Sequence, residues 1–346
     1  MYRGTYTLVG SELSMFTRKL EAQLAYQRIP HVWKYKGIGD GGGWEKRAGT
    51  RFIPLLETPD GWLLNDTIAI GPLLSERFRE VAVLPDTPVQ RAACFVIEDY
   101  LNHWFARHAL HSRWIDLDNA INAGRYFGTN MLLQKSIDED LTPEELEKVA
   151  GVGPMMRDSF GLGACDVQGA GPDQAEAVQS DFDTMMGLFK QHFAAHRFLL
   201  GDRACLADFA LAGPAKAHFI QDPIPLGWLA EQDNEEMLRA FIDRLYAGHE
   251  PSRPYCPGDE LPETLMPILE HAKSNYQPFA RASIKAALRG EKTFDLDLGQ
   301  GPFTARSMKR LNKARLHVRD EIQNLSLQGS PLERAGVLDL YEAEQL

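Results

Sequence analysis

Phe52-Ile53-Pro54-Leu55-Leu56-Glu57, followed by the turn Asp60-Gly61 and then by Asp66-Thr67, is the stretch on which the fold turns. A proline between two short apolar runs, then a turn dipeptide and another apolar run, reads as a strand entered through a fixed turn and continued into a hairpin. An X-Pro bond in a tight turn is one of the few places that tolerate the cis isomer. There it would leave the Ile53 N–H and C=O unpaired and facing outward, free to bind another peptide-like backbone. Upstream, Tyr6-Thr7-Leu8-Val9 has strand composition between Gly4 and Gly10. Ser14-Met15-Phe16-Thr17-Arg18-Lys19-Leu20 then opens a helix in which Phe16, Leu20 and Leu24 recur every four residues to about Gln27, and a second strand lies around His31 to Tyr35.

Composition bounds what such a chain does. Its 346 residues, 44% hydrophobic, suffice for two domains and a sizeable core. With 48 acidic against 37 basic residues the net charge is −11, which argues against a nucleic-acid partner. Cys94, Cys165, Cys205 and Cys256 form no C-x-x-C pair, so neither a disulfide framework nor a zinc site is indicated, and no metal is expected. No segment approaches the roughly 18 uninterrupted apolar residues of a membrane span, and the first residues enter a strand almost at once. A cytoplasmic protein with no membrane contact is the expectation.

Further along, Glu80 to Asp86 reads as a linker and Thr87-Pro88-Val89-Gln90 as a capping box. It opens a long aromatic helix through Phe95, Tyr100, Trp104 and Phe105 to about Trp114. His103, His108 and His111 lie on it without the cysteine or carboxylate spacing of a metal site, so they read as packing, pocket or surface residues. From Ile115 to about Gly171 the pattern weakens, apart from a short helix capped at Thr142-Pro143-Glu144-Glu145 and a glycine-rich connection from Gly161 to Pro172. Residues 262–289 and 302–325 read as helices of a packed tail.

The order strand, helix, strand, Pro54 turn, hairpin and Asp66-Thr67 resembles the glutathione S-transferase family. So does Phe198-Leu199-Leu200-Gly201 through Ala207-Asp208, in which Asp208 reaches back to the backbone of Cys205 to cap a buried helix. The resemblance covers about residues 5–250. It implies an α+β fold: a thioredoxin-like N-terminal domain over residues 1–80, an all-α domain over 87–250 with an insertion near 115–175, and a helical extension over 251–346.

The resemblance also assigns a site. Ser14 stands four residues before Arg18, as in the bacterial S-P-F-S-R-K pattern, with Met15 in place of the proline, so a serine-type enzyme is implied in which Ser14 stabilises the glutathione thiolate. A plain N-cap is the alternative reading of Ser14, and Ser11 is the reserve candidate. Ile53 and Pro54 would hold the cysteinyl backbone, and Asp66 and Thr67 the γ-glutamyl end. Gly37 to Gly49, with six glycines, reads as a mobile loop over the site, and its Lys46 and Arg47, with Arg51 just beyond, would meet the glycine carboxylate. Phe16, Trp104 and His108 would line the pocket of a hydrophobic small-molecule electrophile. The implied activity is a glutathione-dependent transferase, glutathione being the co-substrate, in a homodimer. The alternatives are a non-catalytic binding or scaffold protein and, last, a glutathione-dependent reductase or dehalogenase.

Overall fold

The structure, a computed structural model, describes residues 3–39 and 43–343. The N-terminal unit runs β1 (Tyr6–Gly10), α1 (Met15–Tyr26), β2 (His31–Tyr35), α2 (Trp44–Ala48), β3 (Leu55–Glu57), β4 (Leu63–Asn65) and α3 (Thr67–Arg77). The strands form one mixed sheet in the order β2-β1-β3-β4, with β1 parallel to β2, antiparallel to β3, and β3 antiparallel to β4. This is a thioredoxin-like sheet, and its Ile53–Pro54 bond is cis. Tyr6 and Leu8 of β1, Leu20 and Leu24 of α1, Leu56 of β3, and Ile70 and Leu74 of α3 make its apolar core.

The register of this sheet gathers the residues singled out above. Val9 pairs with Leu55, and Leu55 with Asn65. The end of β1, the entrance to β3 and the exit of β4 therefore lie at one end of the sheet, and the Ser14 turn, the Ile53-Pro54 turn and Asp66-Thr67 all issue from that end.

The rest of the chain is largely helical. It comprises α4 (Pro88–Trp114), α5 (Leu117–Gly128) with a π-helical turn over Thr129–Leu133, α6 (Pro143–Val149), α7 (Val152–Met156), α8 (Leu162–Gln168), α9 (Ala175–Ala195), α10 (Leu206–Pro214), α11 (Pro223–Glu231) and α12 (Glu235–Tyr246). Then follow α13 (Met266–His271), α14 (Gln277–Leu288), the hairpin β5 (Thr293–Asp297) and β6 (Pro302–Arg306), α15 (Lys309–Ile322), α16 (Pro331–Ala335) and α17 (Asp339–Glu342). One core joins Phe95, Leu101 and Phe105 of α4 and Phe209 of α10 to Phe279, Phe303, Leu311 and Tyr341 of the tail. The tail is thus built into the helical core, and together with α5, α8, α9 and α10 it buries α4 on nearly every side.

Several expectations are corrected here. The glycine-rich segment contains helix α2, while Asp40, Gly41 and Gly42 lie outside the described residues. The Gly161–Pro172 connection is mostly helix α8, because Leu162 to Gln168 holds no helix breaker beyond Gly163. The 251–346 extension is not purely helical: residues 302–306 are strand β6, paired with β5 through a Gly299 and Gly301 turn in which both glycines have positive φ. Thr87 does not cap α4 with its side chain; the Asp259 carboxylate accepts the Val89 and Gln90 N–H groups at 2.9 and 3.0 Å. At α10, Asp208 is fully buried and accepts from Cys205 N–H at 2.8 Å, as the motif predicts, and in addition from Leu199 N–H at 2.9 Å.

The sheet unit meets the helical one along α1 and α10. Gly213 on α10 comes so close that a Cβ would lie 2.3 Å from the Met15 carbonyl oxygen at the start of α1. Gly213→Ala is expected to push the two helices apart at an overpacking cost of about 1–3 kcal/mol. Calorimetric melting would register this as a lowered midpoint, whereas an unchanged midpoint would show that α1 yields freely.

Candidate functional site

Ser14 is the N-cap of α1. Its backbone is extended (φ −97°, ψ 119°) and its Oγ accepts the Thr17 N–H at 3.3 Å. A hydroxyl carries one donor and two acceptor lone pairs, so the cap occupies a lone pair and leaves the proton available, at the positive end of the helix dipole. Ser14 is partly exposed. Ser11 differs: it is 2% exposed, its Oγ donates to Asn130 Oδ1 at 3.0 Å and accepts the Leu13 N–H at 3.3 Å. Buried and engaged in both directions, Ser11 is no longer a candidate for holding a ligand sulfur.

The turn carrying Ser14 is held from outside the sheet unit. Asn130, in the π-helical turn after α5, accepts the Glu12 N–H at 2.9 Å and donates to Glu12 Oε2 at 3.0 Å. Arg113, near the end of α4, donates to the Leu13 carbonyl at 2.7 Å. The same guanidinium grips Asp222 at 2.8 and 3.1 Å and also reaches the Ala217 carbonyl. Both ions of the Arg113–Asp222 pair are buried. Burial acts to raise the Asp222 carboxyl, but Arg113 outweighs it and holds it below the usual range. Burial, with Arg113 nearby, pushes His218 down to about 4, so this imidazole is neutral at pH 7. Neither Arg113, Asn130 nor Glu12 was singled out from the sequence, since each acts on a turn about 100 or more residues away or through such a partner.

At the Pro54 turn, the Ile53 backbone N–H and C=O have no hydrogen-bond partner among the described residues. At the next turn, Asp66 caps α3 with φ 72° and ψ 101°, a backbone that non-glycine residues rarely adopt. Its carboxylate accepts the Ile68 N–H at 3.2 Å and meets Lys313 Nζ of α15 at 2.9 Å. Burial acts to raise this carboxyl, and the hydrogen bond and charge of Lys313 more than offset it, leaving the group below its ordinary value. Thr67 follows as the first residue of α3, its side chain buried. Among the loop cations, Arg47 is bound to Glu57 at 2.7 Å and to the Gly61 carbonyl at 3.0 Å, whereas Arg51 is exposed and has no partner among the described residues.

The expected co-substrate pocket is corrected. Trp104 and His108 are 2% and 0% exposed, and both donate to Asp181 Oδ2 of α9, at 2.8 and 2.7 Å. Asp181 also meets His271 at 2.8 Å, and His271 meets the Tyr100 hydroxyl at 2.7 Å. These residues are a buried polar network centred on Asp181, in which only the His108 Nδ1 is left without a hydrogen-bond partner among the described residues. They are closed off from the surface, and the tail covers this flank of α4, Phe279 lying edge-on to Trp104. Only Phe16 of the three is not fully buried; it lies two residues after Ser14, packed with Met15, Ala106 and Leu110. Among the described residues, no cluster of three His, Cys, Asp or Glu side chains has metal-binding geometry, and no helix is long and apolar enough to cross a membrane.

A thioredoxin-like mixed sheet with a cis-proline turn, followed by a largely helical C-terminal region, is the glutathione S-transferase fold, and this chain has it. Among solved structures, it is similar to a glutathione S-transferase from Rhodospirillum rubrum at 15% identity, with a TM-score of 0.46, covering 75% of this chain and 97% of that one. It is similar to FzlA from C. crescentus at 19% identity, with a TM-score of 0.43 and coverage of 74% and 98%. A third likeness is to a glutathione S-transferase of Ceriporiopsis subvermispora, solved in complex with glutathione, at 16% identity, with a TM-score of 0.45 and coverage of 70% and 100%. No protein-family model matches the sequence, and no curated protein matches it.

Proposed function

We propose that the chain binds glutathione at the end of its sheet and activates the thiolate for attack on a hydrophobic electrophile. The observation that carries this reading is the convergence, through the Val9–Leu55–Asn65 register, of a helix-capping Ser14 with a free hydroxyl proton, the unpaired Ile53 backbone and the Asp66-Thr67 cap. Ser14 would donate to the sulfur, Ile53 would pair the cysteinyl backbone beside Pro54, and Asp66 with the Thr67 N–H would take the γ-glutamyl end. Arg51, exposed and without a partner among the described residues, would meet the glycine carboxylate, and Phe16 would be an apolar contact for the electrophile.

Calorimetric titration with glutathione, with thiolate absorbance followed in parallel, tests the proposal. Binding in the micromolar to low-millimolar range with thiolate formed at neutral pH is expected, against a free thiol pKa of about 8.5. No binding would overturn it. The burial of Trp104 and His108 favours one second reading, a glutathione-binding protein with no transferase turnover, and a subsequent electrophile screen without conversion would select it.

A further inference from the structure

Lys313 belongs to the tail, 247 residues from Asp66 along the chain, yet its ammonium meets the Asp66 carboxylate at 2.9 Å. Nothing buries this contact deeply: the Lys313 side chain is 79% exposed. An ion pair so open to water is weak and exchanges readily with a competing ligand. Arg310 lies one turn earlier on the same face of α15, exposed and without a partner among the described residues. Beside the pair, Ile68 of α3, Asn102 of α4, and Ala314 and His317 of α15 border a cavity of about 10 Å³, room for one water. Asn102 is itself 2% exposed, and its Nδ2 has no partner. The cavity lies mainly between α4 and α15, with Phe95 and Val318 also on its wall and Ile68 its one contribution from α3, so α15 is incompletely packed close to Lys313.

We infer that Asp66 and Lys313 together form a recognition site for the zwitterionic end of an α-amino acid, the tail supplying the cation. Such an end carries an ammonium and a carboxylate on the same carbon, so its two charges match an anion and a cation held side by side. In the free protein Asp66 and Lys313 satisfy each other. With ligand bound, the ammonium takes Asp66 and the carboxylate takes Lys313, with Arg310 as a second cation and the Thr67 N–H at the start of α3 adding a backbone donor. The inference rests on the glutathione reading and deepens it: discrimination at the γ-glutamyl end is assigned to a residue from outside the sheet unit.

The test crosses Lys313→Met and Asp66→Asn with three ligands: glutathione, 4-aminobutyryl-cysteinyl-glycine, which lacks the α-carboxylate, and glutaryl-cysteinyl-glycine, which lacks the ammonium. Lys313→Met is expected to weaken glutathione and the glutaryl compound about tenfold, the size of one charge-assisted contact, while leaving the aminobutyryl compound within about twofold. Asp66→Asn should show the opposite selectivity. Glutathione binding that is unchanged or tighter in Lys313→Met would overturn the inference alone, making Lys313 a bystander or a plug. Failure of the unaltered protein to bind glutathione would overturn the glutathione reading as well. Because Lys313 is exposed, the melting midpoint of Lys313→Met should match that of the parent, which separates a binding effect from a folding one.

Discussion

Ser14→Ala is expected to cut turnover at pH 7 by roughly 10- to 30-fold and to restore much of it by pH 9. If the site lowers the glutathione thiol by one to two units from about 8.5, it contributes about 1.4 to 3 kcal/mol toward the thiolate. Without the hydroxyl donor the thiol returns toward its free value and only a few per cent is ionised at pH 7, so raising the pH supplies the thiolate that the protein no longer forms. The same change removes the cap of α1, a loss of about 0.5–2 kcal/mol of stability. Ser14→Asp separates the two roles. Aspartate accepts the Thr17 N–H as serine does, so the melting point should hold, but its charge faces the thiolate and turnover should fall at least as far as in the alanine variant. A pH–rate profile for Ser14→Ala that is unchanged from the parent would remove Ser14 from the chemistry and leave it a cap.

The second large effect is on stability. Arg113→Met is expected to destabilise the fold by about 3–5 kcal/mol, because it strands the buried Asp222 carboxylate. The Leu13 and Ala217 carbonyls lose a donor in the same step. Replacing Asp222 by leucine in that background should recover much of the loss, since no unpaired charge then remains. The pH dependence carries a second signature. In the parent, His218 has a folded pKa of about 4, below its unfolded value near 6.5, so its contribution to stability falls as pH drops through that interval. In Arg113→Met the imidazole, 3.5 Å from Asp222, becomes the nearest group able to neutralise it. Its folded pKa then rises above the unfolded one, and the stability it contributes is present at low pH and lost as pH rises. Because His192, His108 and His111 are also held below the ordinary imidazole value in both proteins, the signature is in the difference: denaturant melts should show the gap between parent and variant widening as pH rises from 5 to 8. A variant as stable as the parent, with a parallel slope, would show that water reaches Asp222.

What could be read in advance follows from how local each signal is. Pro54 fixes its own φ and removes a donor, Ser14 and Asp66 act on N–H groups two or three residues ahead, and Asp208 on Cys205. Those interactions are complete within a few residues of sequence, so the sheet, the starts of α1 and α3 and the α10 motif were legible, while α2 was not. The β5–β6 hairpin was not, although Thr293-Phe294-Asp295-Leu296-Asp297 alternates with the period of a strand. The Gly299 and Gly301 between the strands read as a loop start as well as a hairpin turn.

The site divides along the same line. Taken alone, the sequence determined which side chains stand at the turns: Ser14, Ile53, Pro54, Asp66 and Thr67. Only the tertiary structure decided which of them are available and what surrounds them. It buried Ser11 against Asn130, closed Trp104 and His108 around Asp181, anchored the Ser14 turn on Arg113, and brought Lys313 to Asp66. The physical reason is that burial and charge pairing depend on what covers a surface. Here the cover comes from α4, residues 115–175, α9 and the tail, whose helical periodicity marks an apolar face without naming the partner it will pack against.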